Sequence, residues 1–170
     1  MTPETAARDA ERSDLLDALH TQRALLRRTL RDLSDAQAAR QTTVSALCLG
    51  GIVKHLTRVE ATWADFVAGR PPATTGEDRA RAHTASFVME PDDTLAQLLA
   101  HYDAAAAATD DLVASVDLDA VRPLPPLPWY PPGATRSNRR VFVHVVAETA
   151  QHAGHADIIR ESLDGATTMG

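Results

Sequence analysis

The chain is poor in several things that would otherwise direct a fold or a function. It has one cysteine, Cys48, in 170 residues. No intrachain disulfide can form, and a lone thiol fits a reducing compartment. Cys48 reads as a small buried hydrophobe leading into a helix, with a reactive thiol as the alternative. Aromatic residues make up only 4% of the sequence. The apolar content is mainly Ala, Leu and Val, and because Ala and Leu lead the helix-propensity ranking the composition favours helices over sheets. No run approaches the roughly 20 apolar residues of a membrane span. The start Met1-Thr2-Pro3-Glu4 lacks the charged and apolar regions of a signal peptide, so the expected location is cytoplasmic. A positive balance is missing too. The formal net charge is -6, and the arginines are scattered among acids, which argues against nucleic acid as a partner.

What is present fits a single domain over residues 1–170, long enough to bury a core without disulfide or metal staples. Any metal would therefore serve function before folding. Four helical segments can be read. The first runs from about Ser13 to Leu33, with Leu15, Leu19, Leu26, Leu30 and Leu33 on one stripe and Ser13 as cap. Ser34-Asp35 marks its exit or the cap of a short turn. Gln41 to Gly51 reads as a connection, and the Gly50-Gly51 pair is tolerable at a helix start. The second helix then extends to about Ala68 along Ile52, Leu56, Val59, Trp63 and Phe66, and stops at Gly69-Arg70-Pro71-Pro72.

The polar stretch Ala73 to Arg81 has no periodic signal and is expected to be a loop, with an ambiguous piece around Phe87 and Met89. The third helix begins after Pro91, capped by Asp92, Asp93 or Thr94, and uses Leu95, Leu98, Leu99, Tyr102, Leu112 and Val113. Val121 to Gly133 is too proline-dense for a helix or an inner strand and is expected to be a stiff crossing loop. The fourth helix runs from about Ser137 to Leu163 and ends at Asp164-Gly165. With no internal repeat, the expected fold is all-α, a four-helix bundle, in which metal sites are built from inward-facing side chains of adjacent helices.

The chemistry concentrates on the fourth helix. His144, Glu148, His152 and His155 fall within an arc of roughly 80° at about 100° per residue, bordering the apolar stripe. Burying four metal-competent groups together is costly without a common purpose. A rise of about 1.5 Å per residue separates His144 from His155 by roughly 16 Å, so they cannot share one ion. Glu148 and His152 each belong to two of the three contact-spaced pairs on the helix. They are the best candidates, and a third ligand must come from elsewhere. His55, at the margin of the second helix's apolar stripe, leads. His20 and His101 lack a partner one turn away, and His83 falls in the expected loop.

The segment Leu49 to Glu60, with Trp63 soon after, and the segment His144 to Glu161 resemble the two signatures of the DinB/YfiT-like superfamily of metal-binding four-helix bundles. The resemblance is greatest to its mini-circle protein branch, and it extends to the N-terminal domain of mycothiol-dependent maleylpyruvate isomerase. It implies a metal held by a histidine from the second helix and an i, i+4 pair from the fourth. Many members have two histidines in that pair, whereas Glu148 stands first here, as in the isomerase branch. His55, Glu148 and His152 then fill the three positions, and His155 and His144 become pocket-lining or ligand-supporting groups.

Two histidines and a carboxylate suit zinc or nickel, the expected metals, and also iron or manganese. The resemblance implies that such an ion activates a low-molecular-weight thiol such as mycothiol for S-transfer or isomerisation, in detoxification or specialised metabolism. The alternatives are a non-catalytic metal-binding or stress-related protein and a bundle with stray histidines. Expected partners are a small-molecule substrate or thiol, and a homodimer stays open. Trp129 and Tyr130 in the proline-rich loop could cover the site, though a rigid connection with aromatics tucked onto the bundle is the preferred reading. Arg139 and Arg140 could meet an anionic substrate, but arginines on a bundle surface usually only solvate it.

Overall fold

The computed structural model describes residues 3–72 and 75–168. In chain order the elements are α1 (Pro3–Arg28), α2 (Asp35–Ala38), α3 (Leu49–Ala68), α4 (Gly76–Ala85), α5 (Leu95–Ser115), β1 (Val121–Pro123), β2 (Thr135–Ser137) and α6 (Asn138–Asp164). The four long helices α1, α3, α5 and α6 make the expected all-α bundle, with α3 packed on α5 and α6, and α1 packed on α6 and α5. Among the described residues, no helix is long and apolar enough to cross a membrane.

Local chemistry sets the helix ends. The Cys48 sulfur caps α3 by accepting from the Gly51 N–H at 3.3 Å. Among the three caps considered for α5, it is Thr94 that accepts from the Gln97 N–H. Ser137 caps α6. Helices α3 and α6 stop where Gly69 and Gly165 take left-handed backbone angles, φ 71° and 81°.

Two apolar clusters fill the bundle. One gathers Leu26, Leu49, Leu56, Leu98, Ala156 and Ile159. The other gathers Leu19, Val67, Val113, Phe142 and Val145. Between them lies a buried ion pair: Glu60, fully enclosed, takes hydrogen bonds from Arg23 Nε and Nη2 at 2.9 and 2.6 Å. Arg23 Nη1 reaches Asp110 at 2.7 Å, so α1, α3 and α5 are tied in one register.

Three expectations need correction. Helix α1 starts at Pro3, well before Ser13, and ends at Arg28, before Leu33. Its early turns carry no apolar stripe, but proline is tolerated in a first turn, and Arg12 fastens them to the carbonyls of Val113 and Val116 at the end of α5. At the other end, Arg160 donates to the carbonyls of Thr29 and Arg31, compensating backbone acceptors that a longer helix would have used. The expected loop Ala73 to Arg81 holds helix α4 from Gly76; residues 73 and 74 lie outside the described residues. Helix α4 buries no residue, so it has no apolar periodicity to read, and Glu77 and Asp78 in its first turn complement the helix dipole. Finally, the crossing loop opens with strand β1, paired antiparallel to β2, with Val121 opposite Ser137 and Pro123 opposite Thr135. A two-stranded ribbon has only edges, which is where proline is tolerated.

Candidate metal centre

His55 sits in the second turn of α3 and is buried, beside Leu56 of the first apolar cluster. The segment after α4 positions its ring. Phe87 stacks on it with centroids 3.8 Å apart, and Ser86 Oγ lies 3.0 Å from Nδ1. The same hydroxyl donates to the carbonyl of His83 at 2.6 Å. Its single hydrogen being committed there, Ser86 accepts from Nδ1–H, and the lone pair of His55 rests on Nε2.

Helix α6 supplies the other two groups one turn apart. Glu148 Oε2 is 3.8 Å from His152 Nε2, and the rings of His55 and His152 are 4.8 Å apart. One donor atom from each of His55, Glu148 and His152 lies within 4.8 Å of the other two, so the three could hold a metal ion.

The electrostatics suit a cation. Burial, reinforced by His152, His83 and Arg58, pushes the pKa of His55 down to about 3. Burial, with His155 and His83, pushes His152 down to about 4. Both imidazoles are therefore neutral near pH 7, as metal ligands must be. Burial raises the Glu148 carboxyl. His83 opposes that shift; His144 and His152 stand at 3.6 and 3.8 Å, and among the described residues no lysine or arginine pairs with the carboxylate. A half-buried carboxylate between neutral imidazoles has an unmet demand for positive charge, and the donor set of two imidazoles and a carboxylate fits a divalent ion.

Two of the three, His55 and Glu148, line a cavity of about 460 Å³. His144 lines it, edge-on to Trp63 at 5.0 Å, and burial together with Arg136 and Arg140 pushes its pKa to about 4. His155 lies on the other side of His152, with their Nδ1 atoms 3.5 Å apart. Trp129 and Tyr130 both line the cavity, and Trp129 stays 68% exposed instead of tucking onto the bundle, so the crossing loop is a wall of the site as well as a connection.

The two arginines considered at the start of α6 divide. Arg139 is held by Glu11 and Asp119, while Arg140 lines the cavity. Sequence reasoning missed His83, whose ring meets His55 edge-on at 5.4 Å, and Arg79, one helical turn before it, on the same wall. Their i, i+4 spacing was the available signal, hidden by a helix with no apolar face. His20 instead pairs with Asp110 at 2.8 Å.

Comparison with known proteins agrees with this architecture. The crystal structure of a conserved protein from Enterococcus faecalis superposes with a TM-score of 0.69 at 13% identity, covering 91% of this chain and 97% of that one. At that identity the likeness concerns the fold. No curated protein matches the chain. The family model for mycothiol-S-transferase matches residues 14–165, nearly the whole bundle including both helices of the triad. The chain thus belongs to the mycothiol-S-transferase family, within the DinB-like four-helix bundles.

Proposed function

We propose that the protein is a metal-dependent transferase that joins a low-molecular-weight thiol, mycothiol or a close analogue, to an electrophilic small molecule. The observation that carries this reading is the convergence of His55, Glu148 and His152, two of which, His55 and Glu148, line a cavity. Zinc or nickel is the proposed metal, and the same donors would accept iron or manganese. When bound, such an ion would lower the pKa of a thiol presented to it and favour the nucleophilic thiolate at neutral pH.

The chain's own residues do the rest. Ser86 fixes the ring of His55 and its tautomer. Glu148 offers the negative charge that balances a cation. Trp63, Trp129 and Tyr130 form the walls between which the electrophile is oriented. In the transfer the thiol proton passes to solvent and the sulfur pair forms a bond to carbon. In a substitution the leaving group departs with its bonding electrons; in an addition a proton returns to the neighbouring carbon. The site is built within one chain, so the reading does not require a homodimer, and a reducing cytoplasm suits both the substrate thiol and Cys48.

The test is elemental analysis of the purified protein, followed by turnover of mycothiol with a fluorogenic bimane electrophile. Stoichiometric metal with metal-dependent turnover supports the transferase. Metal without turnover across a thiol panel would favour a non-catalytic metal-binding protein, and absence of metal binding would sink both.

A further inference from the structure

Arg23, Arg27, Arg70, Arg81, Arg139 and Arg160 each meet a carboxylate. The arginines of the cavity wall do not. Arg58 from α3, Arg79 from α4, Arg136 from β2 and Arg140 from α6 all line it, and among the described residues none of the four side chains has an ion-pair or hydrogen-bond partner. The sole acid on that wall is Glu148, which the metal site claims. Four guanidinium groups from four separate elements therefore line one small space against a single carboxylate, in a chain whose net charge is -6.

The wall is also built, not merely decorated. The Arg136 guanidinium lies over the ring of Trp63 at 4.8 Å and near Tyr130 at 5.7 Å, a stacked arrangement that fixes its plane without an acid. Its Nη1 is buried and has no acceptor. Arg58 is half-buried, and its pKa is lowered by burial and by the charge of Arg79, so the structure tolerates an uncompensated repulsion there. Guanidinium groups match carboxylate and phosphate oxygens in a planar fork, and a space of this volume suits a small molecule, not a polymer.

We propose that the electrophile accepted in this cavity is a small polyanion, with two or more carboxylate or phosphate oxygens gripped by Arg58, Arg79, Arg136 and Arg140. The proposal rests on the transferase reading for the role of this ligand. In that reading the thiol is taken up through its sulfur, and the arginines lining the cavity are left to the second substrate. Anchored by its charged groups, that substrate would present its reactive carbon toward His55 and Glu148, which line the same cavity.

Isothermal calorimetry on the metal-loaded protein tests this with succinate, inorganic phosphate and the uncharged isostere succinamide. Succinate or phosphate should bind saturably and succinamide should not; whichever anion binds more tightly tells carboxylate from phosphate. Arg79→Gln and Arg140→Gln, at positions that are not buried, should each weaken the anion by about tenfold or more, since each removes a charge-assisted hydrogen bond. Arg79→Lys should recover part of the loss. The titration is repeated after the metal is stripped, where binding and its dependence on the arginines should persist. Failure of both anions to bind, equal binding of succinamide, unchanged affinity in both glutamine variants, or binding that vanishes wholly with the metal would each overturn the proposal. Metal content is measured on the same samples. Anion binding by a protein that holds no metal sinks the transferase reading alone; metal-dependent turnover without anion binding sinks this one alone.

Discussion

Gly51 lies so close to the carbonyl oxygen of Phe87 that a Cβ at position 51 would stand 1.9 Å from it. The start of α3 thus runs directly beneath the segment that carries Ser86 and Phe87, the two residues that hold the ring of His55. The glycine's role is to permit this approach; its φ is not in the left-handed region.

Gly51→Ala should therefore cost about 1–3 kcal/mol of stability, as overpacking does, and should weaken metal binding by displacing Ser86 and Phe87. Gly154→Ala, on α6 with nothing within 4 Å of the added carbon, should instead stabilise by about 0.5–1 kcal/mol through helix propensity. Thermal melts of the two variants give the comparison. Equal effects would show that the contact at Gly51 does not govern.

Ser86→Ala removes the acceptor of the His55 Nδ1–H. The ring then loses its fixed tautomer and orientation, and metal affinity should fall about 10- to 100-fold, the usual effect of removing a ligand's supporting hydrogen bond. Competition against a chromophoric chelator measures it. An affinity equal to that of the unaltered protein would mean that Phe87 stacking alone orients the ring.

His55→Ala, Glu148→Ala and His152→Ala should each lose the ion, whereas His144→Ala and His155→Ala should retain it. Elemental analysis after gel filtration decides. Full occupancy in the first three would refute the ligand assignment, and loss in His155→Ala would move the site along α6.

In the metal-free protein, acid should destabilise the fold, and the sign follows from the histidines. His55, His144 and His152 have their pKa depressed to about 3, 4 and 4 from the usual 6.5. Between 6.5 and those values the unfolded chain binds protons that the native chain refuses, so stability is complete above 6.5 and falls as pH drops below it. The melting temperature of chelator-treated protein should decline from pH 7.5 to pH 5, and His144→Gln should flatten the decline. A flat profile for the unaltered chain would contradict the buried, neutral state of these rings.

How much of this could be read from the chain alone depended on whether an element had an apolar face. The stripe Ile52, Leu56, Val59 gave α3 its place and left His55 at the inner margin. The narrow arc of His144, Glu148, His152 and His155 put two of the three clustered residues on α6 before any fold was known. Where structure rests on polar contacts, the signal fades. The first turns of α1 depend on Arg12 reaching carbonyls more than a hundred residues away, and α4 has no buried residue at all. The Ser86 link to His55 joins residues 31 apart across the end of α3 and all of α4, with no recognisable spacing in the sequence. Arg140 looked like a solvated surface group because nothing in the local sequence shows that Arg58, Arg79 and Arg136 converge on the same space.

Helix α4 contributes no side chain to the core, yet it brings Arg79 to the cavity and His83 to the ring of His55. Substitutions on its outward positions are nearly free of folding cost, while the donor atoms of the triad lie on α3 and α6, which cannot drift without loosening the bundle. Of the four arginines on the cavity wall, Arg79 alone thus sits on an element that folding hardly constrains, whereas Arg58 and Arg140 share α3 and α6 with the triad. A lineage of such proteins could diversify in what it modifies by rewriting α4 while keeping the same reactive centre.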